Sequence, residues 1–151
     1  MRSRGERGAT LIELVISIVV IAIAASAVLG VLSASVGRSA DAMVLSQAVA
    51  IAEAYLEEIS RKPFLDPDGV DGEAARPAFD DVDDYHGLVD NGARDQFGSA
   101  LAPLSQYTVT VAVTPSTALA GVPQVDAERI DVRVTYPGNG AVALTGYKTR
   151  L

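Results

Sequence analysis

Hydrophobic and polar positions fall along this chain in three regimes. From Ala9 to Gly37 the apolar residues form a near-continuous run, ATLIELVISIVVIAIAASAVLGVLSASVG, in which Glu13 is the single charge. A helix rises about 1.5 Å per residue, so roughly 20 residues cross the hydrocarbon core of a bilayer, and this run is long enough to span. A core helix of a soluble protein carries a polar stripe, and Ser17, Ser26 and Gly30 are too small and too sparse to make one. The second regime is amphipathic. Leu45, Ala48, Val49, Ala52, Leu56 and Ile59 recur at helical spacing and predict one apolar face. Arg61 and Lys62 suit the negative end of a helix dipole, and Pro63 stops the helix. Together the two regimes predict one helix from about Thr10 to Arg61, ~75 Å long at the standard rise. Two helices broken near Gly37-Arg38-Ser39 are the alternative.

The third regime alternates. Tyr107, Val109, Val111 and Val113 interleave with threonines and Ala112, and Pro115 closes the run. Ile130, Val132, Val134 and Tyr136 interleave with Arg129, Asp131, Arg133 and Thr135. After Pro137-Gly138-Asn139-Gly140, the residues Val142, Leu144, Gly146 and Lys148 alternate with their neighbours. The last two runs predict a hairpin, and the three strands need a cover that the amphipathic half of the helix supplies. The fold class expected is therefore α+β, a long helix packed on a small antiparallel sheet.

Charge and composition narrow the function. The chain has 151 residues, 12 Lys and Arg against 19 Asp and Glu, and a net charge of −7. That balance argues against nucleic-acid binding, which needs a basic footprint. With no cysteine, disulfides, thiolate metal sites and cysteine nucleophiles are excluded. No phosphate loop, HExxH or Ser-His-Asp arrangement in plausible context occurs, so no catalytic residue, metal ligand or cofactor is assigned.

The leader MRSRGERG holds Arg2, Arg4 and Arg7 against Glu6, which keeps the N-terminus on the cytoplasmic side. A secretory signal is the alternative, since Ala24-Ala25-Ser26 and Ser33-Ala34-Ser35 offer small-residue cleavage sites, but its apolar core would be shorter. Glu13 does not suit a plain anchor. A carboxylate just inside the apolar stretch costs several kcal/mol unless it is neutralised, paired or reaches back to the interface.

Gly8-Ala9-Thr10-Leu11-Ile12-Glu13-Leu14, behind a short basic leader and ahead of an apolar helix, resembles the processing motif of type IV prepilins and pseudopilins. The resemblance implies cleavage between Gly8 and Ala9 by prepilin peptidase and methylation of the new amine on Ala9. It also implies that Glu13 pairs with the N-terminal amine of a neighbouring subunit. Ala9 departs from the large apolar residue usual in the family at that place, which bears on methylation. Gly30 stands where major pilins often carry a helix-weakening proline. The implied organisation is a leader at 1–8, a transmembrane or filament-core half of the helix at 9–37, and a periplasmic pilin-like head at 38–151.

Between helix and strands, Asp66 to Asp95 holds ten acids and two arginines. Asp66-Pro67-Asp68-Gly69-Val70-Asp71-Gly72-Glu73 is spaced to wrap a hard cation, but Pro77 stands where an EF-hand needs its bidentate acid. A solvated acidic turn is the plainer reading. In Phe79-Asp80-Asp81-Val82-Asp83-Asp84-Tyr85-His86-Gly87 the pattern turns Val82 and Tyr85 inward and lets aspartates cap local turns. His86 stands without a second nitrogen ligand and reads as a turn residue. This stretch and the ending Leu144-Thr145-Gly146-Tyr147-Lys148-Thr149-Arg150 resemble MshD-like minor pilins of the mannose-sensitive haemagglutinin (MSHA) class. The resemblance implies a structural minor pilin of a type IV pilus, with other pilin subunits and the inner-membrane assembly machinery as partners. A type II secretion pseudopilin and a pilus-tip adhesin or ligand-binding module are the alternatives.

Overall fold

The computed structural model describes residues 10–69 and 73–150. The first element, α1, covers Leu11–Ser60. Four strands follow: β1 (Val89–Asn91), β2 (Thr108–Pro115), β3 (Ala127–Tyr136) and β4 (Gly140–Thr149). Short 3-10 turns at Arg76–Ala78, Asp83–Tyr85, Ala102–Leu104 and Gln124–Asp126 punctuate the connections. The class is α+β, as the sequence pattern predicts. The chain divides into two units between Ala42 and Met43.

The N-terminal unit is helical and bare. Leu11–Ser33 has a mean hydropathy of 2.9, and that stretch is unburied. Its length and composition allow it to cross a membrane. Gly30 lies inside α1, with open space where a Cβ would stand.

The C-terminal unit has a core. Its sheet runs in the order β1-β2-β3-β4, all antiparallel. Alternation decides which side chains face inward: Val109, Val111 and Val113 from β2 and Ile130, Val132 and Val134 from β3 are buried. Their cover is the part of α1 carrying Ala48, Ile51, Ala52, Tyr55 and Ile59, all buried in the same cluster. This face is rotated from the expected one. Leu45 is exposed and Val49 half-buried, while Ile51 and Tyr55 point inward. The rotation has a polar cause, because it carries the Tyr55 hydroxyl to buried partners described below.

Strands β3 and β4 pair from Ala127↔Thr149 to Tyr136↔Gly140. The connection uses left-handed backbone at Gly138 (φ 91°) and Asn139 (φ 62°), residue types that adopt it at low cost. Gly146 permits close packing, since a Cβ there would stand 2.9 Å from Leu56 Cδ1. The fourth strand, β1, was not anticipated. It is three residues long, and the buried residue at its centre is Asp90.

Candidate functional site

Two places hold the chemistry. The first is the start of α1, where Thr10-Leu11-Ile12-Glu13 has capping-box spacing. Thr10 precedes the helix, and its Oγ1 accepts from the Glu13 N–H at 3.4 Å. Glu13 therefore lies in the first turn, where the helix dipole favours a carboxylate. Thr-x-x-Glu was readable from sequence, and it gives Glu13 a local role beside any partner. Along the apolar run two serine hydroxyls are satisfied within the helix. Ser17 Oγ donates to the Glu13 carbonyl at 2.7 Å, and Ser26 Oγ to that of Ala22 at 2.8 Å. Gly8 and Ala9 lie outside the described residues, as does Asp71 of the acidic turn.

The second place is a buried ionic knot in the head. Arg76, 7% exposed, reaches Asp90 Oδ2 through Nη1 at 2.6 Å and Glu58 Oε2 through Nη2 at 2.8 Å. Its Cζ stands 4.3 Å from the centre of the Tyr55 ring. The Tyr55 hydroxyl donates to Asp90 Oδ2 at 2.7 Å and accepts from the Arg94 N–H at 2.9 Å. The Tyr85 hydroxyl donates to Glu58 Oε1 at 2.8 Å. One guanidinium thus ties α1, the 76–78 turn, the 83–85 turn and β1 together. Burial works against the charge of Arg76, but the Glu58 and Tyr55 contacts outweigh it and hold its pKa above the usual value. Burial pushes the Tyr55 and Tyr85 hydroxyls up, reinforced by Asp90 and Glu58 respectively. No sequence pattern signals this knot, because an arginine in an acidic loop reads as solvated.

The acidic segment is internally braced. Asp84 Oδ2 accepts from the Asp80 N–H at 2.9 Å, and Asp81 Oδ1 accepts from the Asp84 N–H at 3.1 Å. Val82 and Tyr85 are buried, as their spacing predicts, with Phe79 edge-on to Tyr85 at 5.0 Å. Asp66 Oδ1 accepts from the N–H groups of Asp68 and Gly69, each at 2.8 Å, which builds a local turn. Carboxylate oxygens of Asp66, Asp68 and Asp80 gather within 4.8 Å of one another, as do those of Glu73, Asp80 and Asp84. The side-chain contact with Asp84 holds the Glu73 carboxyl up at about 7. His86 follows the 83–85 turn, and its Nδ1 accepts from the Val113 N–H at 3.2 Å, so it fastens that turn to β2.

Residues 3–36 match the family model described as the prokaryotic N-terminal methylation motif. No curated protein and no solved structure matches the chain. The motif supports a type IV pilin-like or prepilin-like family, with processing by prepilin peptidase, assembly with other pilins and membrane anchoring through the apolar helix. It suggests a structural subunit.

Proposed function

We propose that this chain is a minor pilin subunit of an MSHA-like type IV pilus. Prepilin peptidase cuts it between Gly8 and Ala9 and methylates Ala9. The mature protein sits in the inner membrane with its head in the periplasm, and the assembly machinery then packs it helix-first among other pilins. The observation that carries this reading is the methylation-motif match at residues 3–36, continuous with an unburied apolar helix whose first turn holds Glu13.

The chemistry is coherent. A cut after Gly8 leaves a cationic amine on Ala9, one residue ahead of the Thr10 cap. A positive charge at the positive end of a helix dipole is unfavourable, and so is a lone carboxylate in hydrocarbon. Glu13 of one subunit and the Ala9 amine of the next neutralise each other, which rewards one axial register between subunits.

Mass spectrometry of membrane-purified protein tests the reading. The mature chain begins at methylated Ala9, and Gly8→Ala leaves the full-length precursor. Glu13→Val inserts normally but fails to enter filaments. A mature chain beginning after the apolar run refutes the proposal. The type II secretion alternative shares the same N-terminus, and loss of secretion rather than of surface fibres on deletion identifies it.

A further inference from the structure

The two edges of the sheet differ. At one, β1 is three residues long and centred on the buried Asp90. At the other, β4 runs for ten residues and pairs with β3 in unbroken register. Edge strands are commonly blunted by proline, a bulge, inward charge or a covering segment, because their open backbone groups attract another strand. Strand β4 has no proline, and its single ionisable side chain, Lys148, turns its ammonium to the Ser60 carbonyl at 2.9 Å. Hydrogen bonding fixes which backbone groups stand open. The Arg150 N–H donates to the Asp126 carbonyl at 3.0 Å, one step beyond the pair Ala127↔Thr149. Hydrogen-bonded pairs alternate along an antiparallel ladder, so the even-numbered residues of β4 bond β3. The N–H and C=O groups of Ala141, Ala143, Thr145, Tyr147 and Thr149 therefore point out past the edge of the sheet. Among the described residues no backbone hydrogen bond reaches them. A row of donors and acceptors at this spacing is complemented by extended backbone.

We propose that β4 is a docking edge for a second copy of this chain: the two β4 strands pair antiparallel, and the two heads share one continuous sheet. The strand is self-complementary in the register centred on Thr145. On the outer face this register sets Thr145 opposite Thr145, Ala143 opposite Tyr147 and Ala141 opposite Thr149. On the inner face Gly146 meets Leu144, and Val142 meets the stem of Lys148. Tyr147 and Leu144 thus each face a small residue, and the threonine pair is a favourable one. Like charges stay apart, because Lys148 lies opposite Val142 rather than its own image; a parallel pairing in register would stack the two lysines. Each of the five outward pairs exchanges two hydrogen bonds. Pairing also covers the exposed Tyr147 and the half-buried Val142 and Leu144. A second copy's β1 is a poorer partner, since it offers only three residues. The two-fold axis turns the second head end for end. Copies that share one sense within a filament do not form this contact there, so it joins copies from separate filaments or chains outside one. The pairing is independent of the filament reading above.

The test is analytical ultracentrifugation of the full-length protein in density-matched detergent, combined with cysteine cross-linking. Wild type sediments in a monomer–dimer equilibrium. Thr145 Oγ1 donates to Asp131 Oδ1 at 2.6 Å, so Thr145→Lys brings its ammonium to a carboxylate in the monomer and sets two ammoniums face to face in the dimer. This variant weakens dimerisation by about tenfold or more and leaves the Tm of the head within about 3 °C of wild type. Ala143→Pro, which removes an outward N–H and no bond to β3, weakens the dimer as well. The chain has no cysteine, which makes introduced ones unambiguous. Thr145→Cys cross-links to itself under mild oxidation, since hydrogen-bonded pairs bring Cα atoms to about 5.5 Å. Ala141→Cys and Thr149→Cys cross-link when mixed. Ala141→Cys alone does not, because its image lies eight residues along, at about 27 Å. A chain that stays monomeric up to about 100 μM overturns the proposal. So does a dimer that Thr145→Lys leaves unchanged, as one held through the apolar part of α1 would be, or cross-linking of Ala141→Cys to itself.

Discussion

The two units of this chain draw on similar apolar residues and treat them in opposite ways. In the head, Ile59 and Ile130 are fully buried. In the N-terminal unit, Ile21 and Ile23 are each 66% exposed, and the whole span from Leu11 to Ser33 is unburied. Polar groups differ in parallel. Along the apolar run, Ser17 and Ser26 each bond the carbonyl four residues back, within the helix itself. In the head, Arg76 reaches Glu58, 18 residues earlier in the chain, and Asp90, 14 residues later. The head therefore stabilises itself through long-range contacts. The N-terminal unit leaves its apolar surface from Leu11 to Ser33 uncovered, which suits a helix that anchors in a membrane.

That contrast breaks most sharply at Arg76. Arg76→Met keeps the apolar stem and removes the guanidinium, leaving Glu58 without its cation and Asp90 with only the more distant Arg94 Nε at 3.4 Å. Removing one partner of a buried pair costs about 3–5 kcal/mol. The expected outcome is a large fall in the Tm of the head, measured by near-UV circular dichroism. Ile130→Ala comes next. Its side chain sits in a packed cluster, and truncation leaves a cavity that costs about 2–5 kcal/mol. Tyr55→Phe is milder. It removes the donor to Asp90 and the acceptor for the Arg94 N–H while the ring stays under Arg76, a loss of about 1–2 kcal/mol in chemical denaturation.

Acidity sharpens the contrast further. Burial, with the nearby Asp83 and Asp81 carboxyls, raises Glu128 from 4.5 to about 7, and burial raises Asp81 as well. A carboxyl whose folded pKa lies above its unfolded value binds more protons in the folded state, so its contribution falls as pH rises between the two. The Glu128 contribution weakens the head progressively from about pH 4.5 to 7, and the cost is complete above that. Melting curves taken across this window should show a shallower decline in Glu128→Gln than in wild type.

The physics of each element explains what the sequence made legible. Three strands were readable because their alternation is strict and one face is buried, and α1 because its apolar period and its terminating Pro63 are strong signals. The inward turn of Val82 and Tyr85 was readable for the same reason. Strand β1 was not, because it is three residues long and its buried centre is Asp90, whose ionic partner Arg76 comes from another segment. The buried helix face departs from the apolar spacing at Tyr55, whose hydroxyl follows Asp90. At the N-terminus, Glu13 stands out as a charge in an apolar run, and the Thr10-x-x-Glu13 spacing carries the cap. Glu128 was invisible, since a glutamate at a strand start reads as surface.

The smallest expected effect isolates the difference between the units. Ile21→Ala removes the same atoms as Ile130→Ala, but from a side chain that already faces outward. With no surrounding protein wall there is no cavity to leave, and the substitution preserves a helix-forming residue. The head of purified Ile21→Ala should therefore melt within about 0.5 kcal/mol of wild type, the range of surface substitutions. The same substitution removes apolar area that subunits would bury against one another, so any loss should appear in co-purification with other pilins rather than in unfolding. A fall in head stability approaching that of Ile130→Ala would mean that Ile21 is packed within the isolated chain, and the division between a self-sufficient head and a partner-dependent helix would fail.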